Sequence, residues 1–205
     1  MTVLHLGDDE NRFSPDWLQR VHSTLDEVGE VLVTTGSGKF YSNGLDLDWL
    51  LANGDQAGKY VADVQELFAR ILTLPVPTVA AINGHAFGAG AMLAMAHDFR
   101  VMRADRGYFC FPEADINIPF TPGMAALIQG KLTPSAAIAS MTTGRRFGGA
   151  DALVLGLVDE TAPEGDVVKV ASERVTALAG KDSGTLGAIK ATMFAPAITA
   201  LRTPA

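Results

Sequence analysis

The stretch from Pro77 to Asp98 constrains the fold more than any other part of this 205-residue sequence. It opens with an apolar run, Thr78 to Ile82, which is typical of a short buried strand. A turn of small residues, Gly84 to Gly90, leads into Ala91 to His97, which has no polar face. Because a helix that is apolar all round has to be covered on every side, the stretch predicts a helix inside a layered core.

In the rest of the chain, segments with strand-like patterns alternate with segments with helix-like patterns. Such alternation indicates an α/β protein built in layers. We expect a core domain over residues 1–164 and a more uniformly helical C-terminal segment over residues 165–205. Further strands are predicted at 31–35, 99–103 and 108–111, and further helices at 15–28, 61–74, 122–130, 134–142, 148–156, 165–179 and 183–194.

Charge and composition argue against several classes of protein. The formal net charge is -7 and basic residues occur at most in pairs such as Arg145-Arg146, so no nucleic-acid-binding surface is expected. No run reaches the roughly 20 apolar residues that span a bilayer, and residues 1–10 lack a signal-peptide pattern. The single cysteine, Cys110, is expected to be a buried thiol. These features favour a cytoplasmic protein that binds neither nucleic acid nor membrane.

Two glycine-containing turns are candidates for ligand binding. The first, within Phe40 to Leu47, contains the turn signal Asn43-Gly44 ahead of a helix whose first N–H groups are unpaired. In the second, Ile82 to Met92, small residues permit close approach to a ligand that faces the N-terminal donors of the next helix. The glycine spacing matches neither a dinucleotide fingerprint nor a phosphate loop. Taken alone, each segment is also typical of an ordinary turn or of close helix–sheet packing.

Glu113 is the candidate acid or base. It follows Phe109-Cys110-Phe111-Pro112, and desolvation in such apolar company raises the pKa of a carboxyl toward neutrality, which suits proton transfer. Asp115 lies two residues further on, so on a strand both carboxylates would share one face. An ordinary surface-loop acid is the alternative for Glu113.

Other polar residues give weaker signals. His85 and His97 have no second ligand at metal-binding spacing, so no metal site is expected. His97 ends a predicted helix, where histidine is often structural. Ser42 lacks the G-x-S-x-G setting of an activated nucleophile.

Four ordered segments resemble the crotonase family, also called the enoyl-CoA hydratase/isomerase superfamily. They are residues 39–47 (KFYSNGLDL), 77–98 (PTVAAINGHAFGAGAMLAMAHD), 109–123 (FCFPEADINIPFTPG) and 143–160 (TGRRFGGADALVLGLVDE). The resemblance implies a crotonase-like spiral of ββα turns with a short helical C-terminal part, assembled as a homotrimer or hexamer. It implies an acyl-CoA substrate, with coenzyme A as part of that substrate and no separate cofactor.

The resemblance also assigns site residues. The backbone N–H groups of Leu45 and Ala89 would form the oxyanion hole, although the family usually has glycine at the position of Ala89. Lys39 and Lys190 are the cations considered for the coenzyme A phosphates. Main-chain contacts to the adenine end of coenzyme A would come from Ser42, Asn43, Gly44, Leu45 and Asp46, and the side chains considered for the acyl pocket are Phe87, Phe109, Phe111 and Phe120.

The acids decide which reaction the resemblance implies. Hydratases of the family use two glutamates; the second falls on Glu113, but the first falls on Met92, whose thioether cannot transfer a proton. One glutamate suffices to move a proton from C2 to C4 of a 3-enoyl-CoA. We therefore predict a Δ3-Δ2-enoyl-CoA isomerase, most similar to plant-type monofunctional members. The alternatives are thioester hydrolysis or decarboxylation, with Asp115 as a second acid, and a catalytically silent acyl-CoA-binding protein.

Overall fold

Parallel strands form two sheets in the computed structural model, which describes residues 1–203. Residues 204 and 205, the end of the predicted C-terminal segment, lie outside the described residues. In chain order the strands are β1 (Thr2–His5), β2 (Leu32–Thr35), β3 (Phe40–Ser42), β4 (Thr78–Ile82), β5 (His85–Phe87), β6 (Phe99–Arg103), β7 (Phe109–Cys110) and β8 (Glu160–Ala162).

Helices connect and cover these strands. In chain order they are α1 (Pro15–Asp26), α2 (Leu47–Ala52), α3 (Ala57–Thr73), α4 (Ala89–Ala96), α5 (Glu113–Ile116), α6 (Pro122–Lys131), α7 (Pro134–Met141), α8 (Gly149–Leu155), α9 (Val167–Thr176), α10 (Ser183–Met193) and α11 (Ala195–Arg202). Within residues 1–203 no single helix has both the length and the apolar character to cross a bilayer. Helices α10 and α11 meet these two criteria only when taken together, and the pair is bent by 76°.

From β2 onward, consecutive strands alternate between the two sheets. The larger sheet has the order β1-β2-β4-β6-β8 and the smaller one β3-β5-β7, with every pairing parallel. The chain therefore passes from β2 to β3, from β4 to β5 and from β6 to β7, and helices follow each pair. This repeat is the ββα spiral that the resemblance implies, and it brings the ends of β3, β5 and β7 together.

The apolar helix α4 lies at the centre of the fold. All of its residues are buried, and it packs against α3, α6 and both sheets. Gly90 in its first turn touches the carbonyl of Ser42 at the end of β3 so closely that a side chain there would overlap that oxygen. The expected buried helix is confirmed, and its start is pressed against the neighbouring loop.

Several short elements were not expected from the sequence. The predicted strands and longer helices are present with ends shifted by a few residues, whereas β1, β3, β5, β8, α5 and α11 went unpredicted. Each of these four strands has three or four residues and is stabilised by a neighbour distant in the sequence, such as β8 on β6. Helix α9 packs on the larger sheet through Val167, Ala171 and Val175; the domain division at residue 164 stays a prediction.

Candidate active site

The loop after β3 and the turn before α4 meet at Gly44. Gly44 has a φ of 82°, in the left-handed region that favours glycine. A Cβ at this position would lie 2.9 Å from the amide nitrogen of Ala89 and 2.8 Å from the carbonyl oxygen of Phe87. The contact is therefore backbone against backbone, and it brings the two predicted donor segments together. Asn43, the other residue of the expected turn signal, has no positive φ.

The N-terminal segment aims the first donor. The N–H of Phe13 donates to the carbonyl oxygen of Gly44 at 2.9 Å. In a trans peptide the C=O and the N–H point in opposite directions, so this bond turns the N–H of Leu45 away from Phe13. Within residues 1–203 that N–H donates to no protein acceptor. It remains available to a ligand in the cavity described below.

Ala89 supplies the second donor as the first residue of α4. A first-turn N–H has no acceptor within its own helix, and in the described part of the chain that of Ala89 finds none elsewhere. Gly88 turns the chain into the helix with a φ of 51°, whereas Ala89 has no positive φ. Alanine thus occupies the family's usual glycine position in ordinary helical backbone, with its N–H at the positive end of the helix dipole.

Glu113 faces the same turn from the opposite wall. A Cβ on Gly88 would lie 3.4 Å from Oε1 of Glu113, and the buried Oε2 has no hydrogen-bond partner among residues 1–203. The side chain is 8% exposed. Desolvation raises its pKa to about 7, while a hydrogen bond to its own backbone N–H opposes the shift. The carboxyl is therefore able both to accept and to release a proton near neutral pH.

Asp115 does not join Glu113 in the cavity, and the expectation of a shared strand face is wrong. Glu113 begins the short helix α5 instead of lying on a strand. Residues two apart on a helix point in different directions, and the carboxylate of Asp115 lies on an exposed residue beside Gly144. Asp115 is therefore absent from the lining described next, where the one other acid is the exposed Asp48, paired with Arg12.

One cavity of about 320 Å³ collects these groups. Met92 lines it and is buried, at the position to which the resemblance assigns the first glutamate of the hydratases. The lining residues are Arg12, Asn43, Leu45, Leu47, Asp48, Phe87, Gly88, Ala89, Met92, Pro112, Glu113, Ile116, Ile118, Pro119 and Met124.

Of the four phenylalanines considered for the acyl pocket, Phe87 alone lines the cavity. Phe109 and Phe111 are fully buried in the core, where their rings pack edge to face. Phe120 packs on Phe111 from the outside. The apolar wall comes instead from methionine and branched aliphatic side chains. These were harder to find because their sequence positions are scattered and carry no periodic pattern.

The expectation that Lys190 meets a coenzyme A phosphate is wrong. Lys190 does not line the cavity and is buried, and its ammonium donates to the carbonyl of Val76 at 2.7 Å and to Asp98 at 2.6 Å. Its charge is needed there, because removing it would leave the Asp98 carboxylate without its ion-pair partner. Lys39 lies over the ring of Phe40, in the turn that leads into β3, and its phosphate role stays a prediction.

The predicted coenzyme A loop is braced by its own side chains. Ser42 Oγ donates to the carbonyl of Asn11 at 2.7 Å and accepts from the N–H of Gly44 at 3.1 Å. Asn43 donates to Glu10, and Asp46 caps α2 by accepting from the N–H of Trp49 at 3.1 Å. These contacts hold the loop shape, so ligand contacts from Ser42 to Asp46 would fall to its main chain, as the resemblance implies.

Sequence reasoning missed the N-terminal contribution to this site. Arg12 lines the mouth of the cavity and pairs with Glu10 at 2.6 Å and with Asp48 at 2.8 Å. Residues 10–13 have no helical or strand periodicity, and their contacts reach residues roughly 30 positions away, as in the bonds from the Asn11 side chain to β3. The Ser14-Pro15 helix start was the single readable signal nearby.

The remaining candidates have structural surroundings. His97 is fully buried between Thr34 Oγ1 and the Leu93 carbonyl, and burial lowers its pKa to about 3. Burial raises the pKa of the Cys110 thiol to about 11, so it is an unreactive thiol. Among the described residues, no three His, Cys, Asp or Glu side chains form a group suited to a metal ion.

Comparisons with known proteins agree on one family. A family model described as enoyl-CoA hydratase/isomerase matches residues 14–204. The chain is 38% identical to enoyl-CoA delta isomerase 2, peroxisomal, of Arabidopsis thaliana, over 82% of this chain and 76% of that protein. It is 40% identical to enoyl-CoA delta isomerase 3 of the same plant, over 76% of this chain and 70% of the relative.

A solved structure supports the fold over nearly the whole chain. The probable enoyl-CoA hydratase EchA3 from Mycobacterium tuberculosis superposes with a TM-score of 0.90 at 31% sequence identity. The match covers 98% of this chain and 88% of that one. The names of these relatives thus include both isomerase and hydratase, and the residues of the cavity have to distinguish the two reactions.

Replacing Gly44 by alanine should damage both stability and the donor pair. The new Cβ would enter the contact with Phe87 and Ala89 and would occupy a left-handed φ, so we expect a loss of at least about 1 kcal/mol in unfolding free energy. Gly58→Ala in α3 is the matched control, since its Cβ meets open space and should stabilise slightly. Denaturant titration of both variants measures the effect, and equal stabilities would contradict the contact.

The raised pKa of Glu113 predicts a pH-dependent penalty on stability. With a pKa near 4.5 when unfolded and about 7 when folded, the folded state binds more protons between those values. Stability is therefore lost as the pH rises through this window, reaching about 3 kcal/mol above it. Relative to Glu113→Gln, wild type should lose about 2 kcal/mol between about pH 5 and about pH 8. A constant difference, or the same trend in the exposed control Glu27→Gln, would refute the raised pKa.

Proposed function

We propose that this chain, which belongs to the enoyl-CoA hydratase/isomerase family, is a Δ3-Δ2-enoyl-CoA isomerase. One observation carries the proposal: among the described residues, Glu113 is the one acid buried in a cavity that also contains two free backbone donors. Asp48, at the rim of the cavity, is paired with Arg12. A single base beside an oxyanion hole is the minimum that a 1,3-proton shift requires.

The geometry supports a two-step proton transfer. The ionised carboxylate of Glu113 takes a proton from C2 of a 3-enoyl thioester, and the electron pair moves onto the thioester oxygen. The N–H groups of Leu45 and Ala89 hold that oxygen while it carries the charge, and such donors contribute a few kcal/mol each. The protonated Glu113 then returns the proton to C4, the double bond moves to C2–C3, and the carboxylate is regenerated. No cofactor beyond the coenzyme A of the substrate takes part.

Met92 favours isomerisation over hydration. Adding water across the double bond calls for a second acid or base in the family's hydratases, and a thioether accepts no proton at neutral pH. Met92 is buried in the cavity wall at that position. The displaced Asp115 likewise removes the second acid on which a hydrolase was considered. The names of the plant relatives support the same choice, whereas the mycobacterial protein is named a probable hydratase.

The proposal extends to the coenzyme A part of the substrate. The main chain of Ser42 to Asp46 would bind the adenine end of coenzyme A, with Lys39 near its phosphates.

The proposal also includes assembly into a homotrimer or hexamer. Such an assembly would cover apolar side chains that the single chain leaves exposed, including Val154 at 90% and Ile138 at 65%. Light scattering of the purified protein measures the mass: three or six copies are expected, and a monomer at all concentrations would contradict the assembly.

The proposed chemistry predicts a specific defect in Glu113→Gln. The amide is similar in shape but cannot move a proton, so kcat for conversion of a 3-enoyl-CoA should fall by about 10³-fold while acyl-CoA binding persists. Appearance of the conjugated 2-enoyl thioester measures turnover. Glu27→Gln, an exposed acid at the end of α1, is the matched control and should keep full activity.

The same assay separates the alternatives. Release of free thiol in place of isomer would identify a hydrolase, and loss of the conjugated absorbance of a 2-enoyl-CoA would identify a hydratase. Tight binding of acyl-CoA by wild type with no conversion would identify a silent binder. Undiminished turnover by Glu113→Gln would refute the assigned base.

A further inference from the structure

Tyr60 joins the N-terminal segment at Phe13 to the loop that carries Leu45. It lies in the first turn of α3 with 3% of its surface exposed. Its hydroxyl donates to the carbonyl oxygen of Phe13 at 2.9 Å and accepts from the N–H of Asp46 at 2.9 Å. A single phenol thus satisfies a buried acceptor on the N-terminal segment and the donor that directly follows Leu45.

The hydroxyl occupies the place of a missing backbone bond. Phe13 and Leu45 form an isolated parallel bridge, in which the N–H of Phe13 reaches the Gly44 carbonyl directly. In a parallel bridge of this register, the second backbone bond runs from the N–H of Asp46 to the Phe13 carbonyl. In the described part of the chain that N–H donates instead to the Tyr60 hydroxyl, which in turn donates to the Phe13 carbonyl. The peptide units on both sides of Leu45 are therefore tied to Phe13, one directly and one through Tyr60.

We infer that Tyr60 is a positioning residue for the oxyanion hole, holding Leu45 in the orientation that directs its N–H at the thioester oxygen. This inference rests on the proposed function. Without the hydroxyl, the Leu45–Asp46 peptide loses its link to the N-terminal segment and keeps the local bond from the Leu47 N–H to the Leu45 carbonyl, so it can shift, while the Gly44 carbonyl keeps its bond to Phe13. Displacements of about 1 Å near reacting atoms lower rates by up to roughly 10²-fold.

The hydroxyl keeps the same role across the pH range of an assay. Burial raises the pKa of the Tyr60 phenol to about 12, so the group stays protonated and donates to Phe13 throughout. The ring also packs beside Trp49, with centroids 5.2 Å apart. Since phenylalanine would preserve that packing, Tyr60→Phe removes the two hydrogen bonds and little else.

The test compares Tyr60→Phe with Tyr41→Phe. Tyr41 is a second fully buried tyrosine whose hydroxyl meets Thr34 Oγ1 at 2.8 Å, on the side of β3 away from the loop contact. We expect Tyr60→Phe to lower kcat about 10-fold with KM changed less than about 2-fold, as for partial loss of one oxyanion donor. Tyr41→Phe should leave both constants unchanged. Equal kcat values for the two variants would overturn the inference.

A binding measurement separates this inference from the proposed reaction. A 3-oxoacyl-CoA ionises to an enolate that absorbs in the near ultraviolet, and an oxyanion hole lowers the pKa of the bound ligand without turnover. Its titration on Tyr60→Phe should give a pKa about 1 unit higher than on wild type, which equals a 10-fold weaker preference for the enolate. If wild type fails to isomerise but shows this difference, the proposed function fails and Tyr60 keeps its role. An unchanged enolate pKa overturns the inference.

A second pair of variants tests the same hydrogen bond if Tyr60→Phe does not fold. Asp46→Pro deletes the N–H that Tyr60 accepts, at a φ of -79° that proline tolerates. Asp46→Ala keeps the N–H and loses the same helix cap, so the difference between the two reports the loss of the hydrogen bond together with the restriction that proline places on Leu45. The inference requires a lower kcat and a higher enolate pKa for Asp46→Pro than for Asp46→Ala, and equal values contradict it.

Discussion

The contact between the backbone of Gly44 and the first turn of α4 is the constraint on which the site depends. A Cβ at Gly44 would lie 2.8 Å from the Phe87 carbonyl oxygen and 2.9 Å from the Ala89 amide nitrogen, so any side chain there would push the two donor segments apart. The contact exists because α4 is apolar on every face and is held between the layers. The core that buries α4 therefore also fixes where its first N–H points.

Around that contact, both backbone donors are without a protein acceptor in the described part of the chain, for different reasons. The Gly44 carbonyl accepts from the N–H of Phe13, which turns the Leu45 N–H of the same peptide in the opposite direction. The N–H of Ala89 has no acceptor within its helix because Ala89 is the first residue of α4. Both are rigid backbone groups, so they require little reorganisation when charge develops on a bound oxygen.

Burial of Glu113 lowers the stability of the folded state and, at the same time, raises the pKa of its carboxyl. Its carboxyl is desolvated, and within residues 1–203 one of its oxygens has no hydrogen-bond partner, an arrangement that weakens the folded state at neutral pH. The same desolvation brings its pKa close to neutral pH, which suits a group that both accepts and releases a proton. Met92 and the aliphatic side chains of the cavity wall supply apolar surroundings of the kind that maintain this desolvation.

The sequence by itself determined the layered fold, the buried helix and the three segments that meet at the site, because apolar periodicity and glycine turns are local signals. It also indicated Glu113 as the candidate acid or base, because the residues that precede it are apolar. Only the tertiary structure decided that Asp115 turns away on a helix, that Lys190 pairs with Asp98, and that Phe13 and Tyr60 hold the loop. These outcomes depend on contacts between residues far apart in the chain, and no local pattern encodes the direction in which such a side chain points.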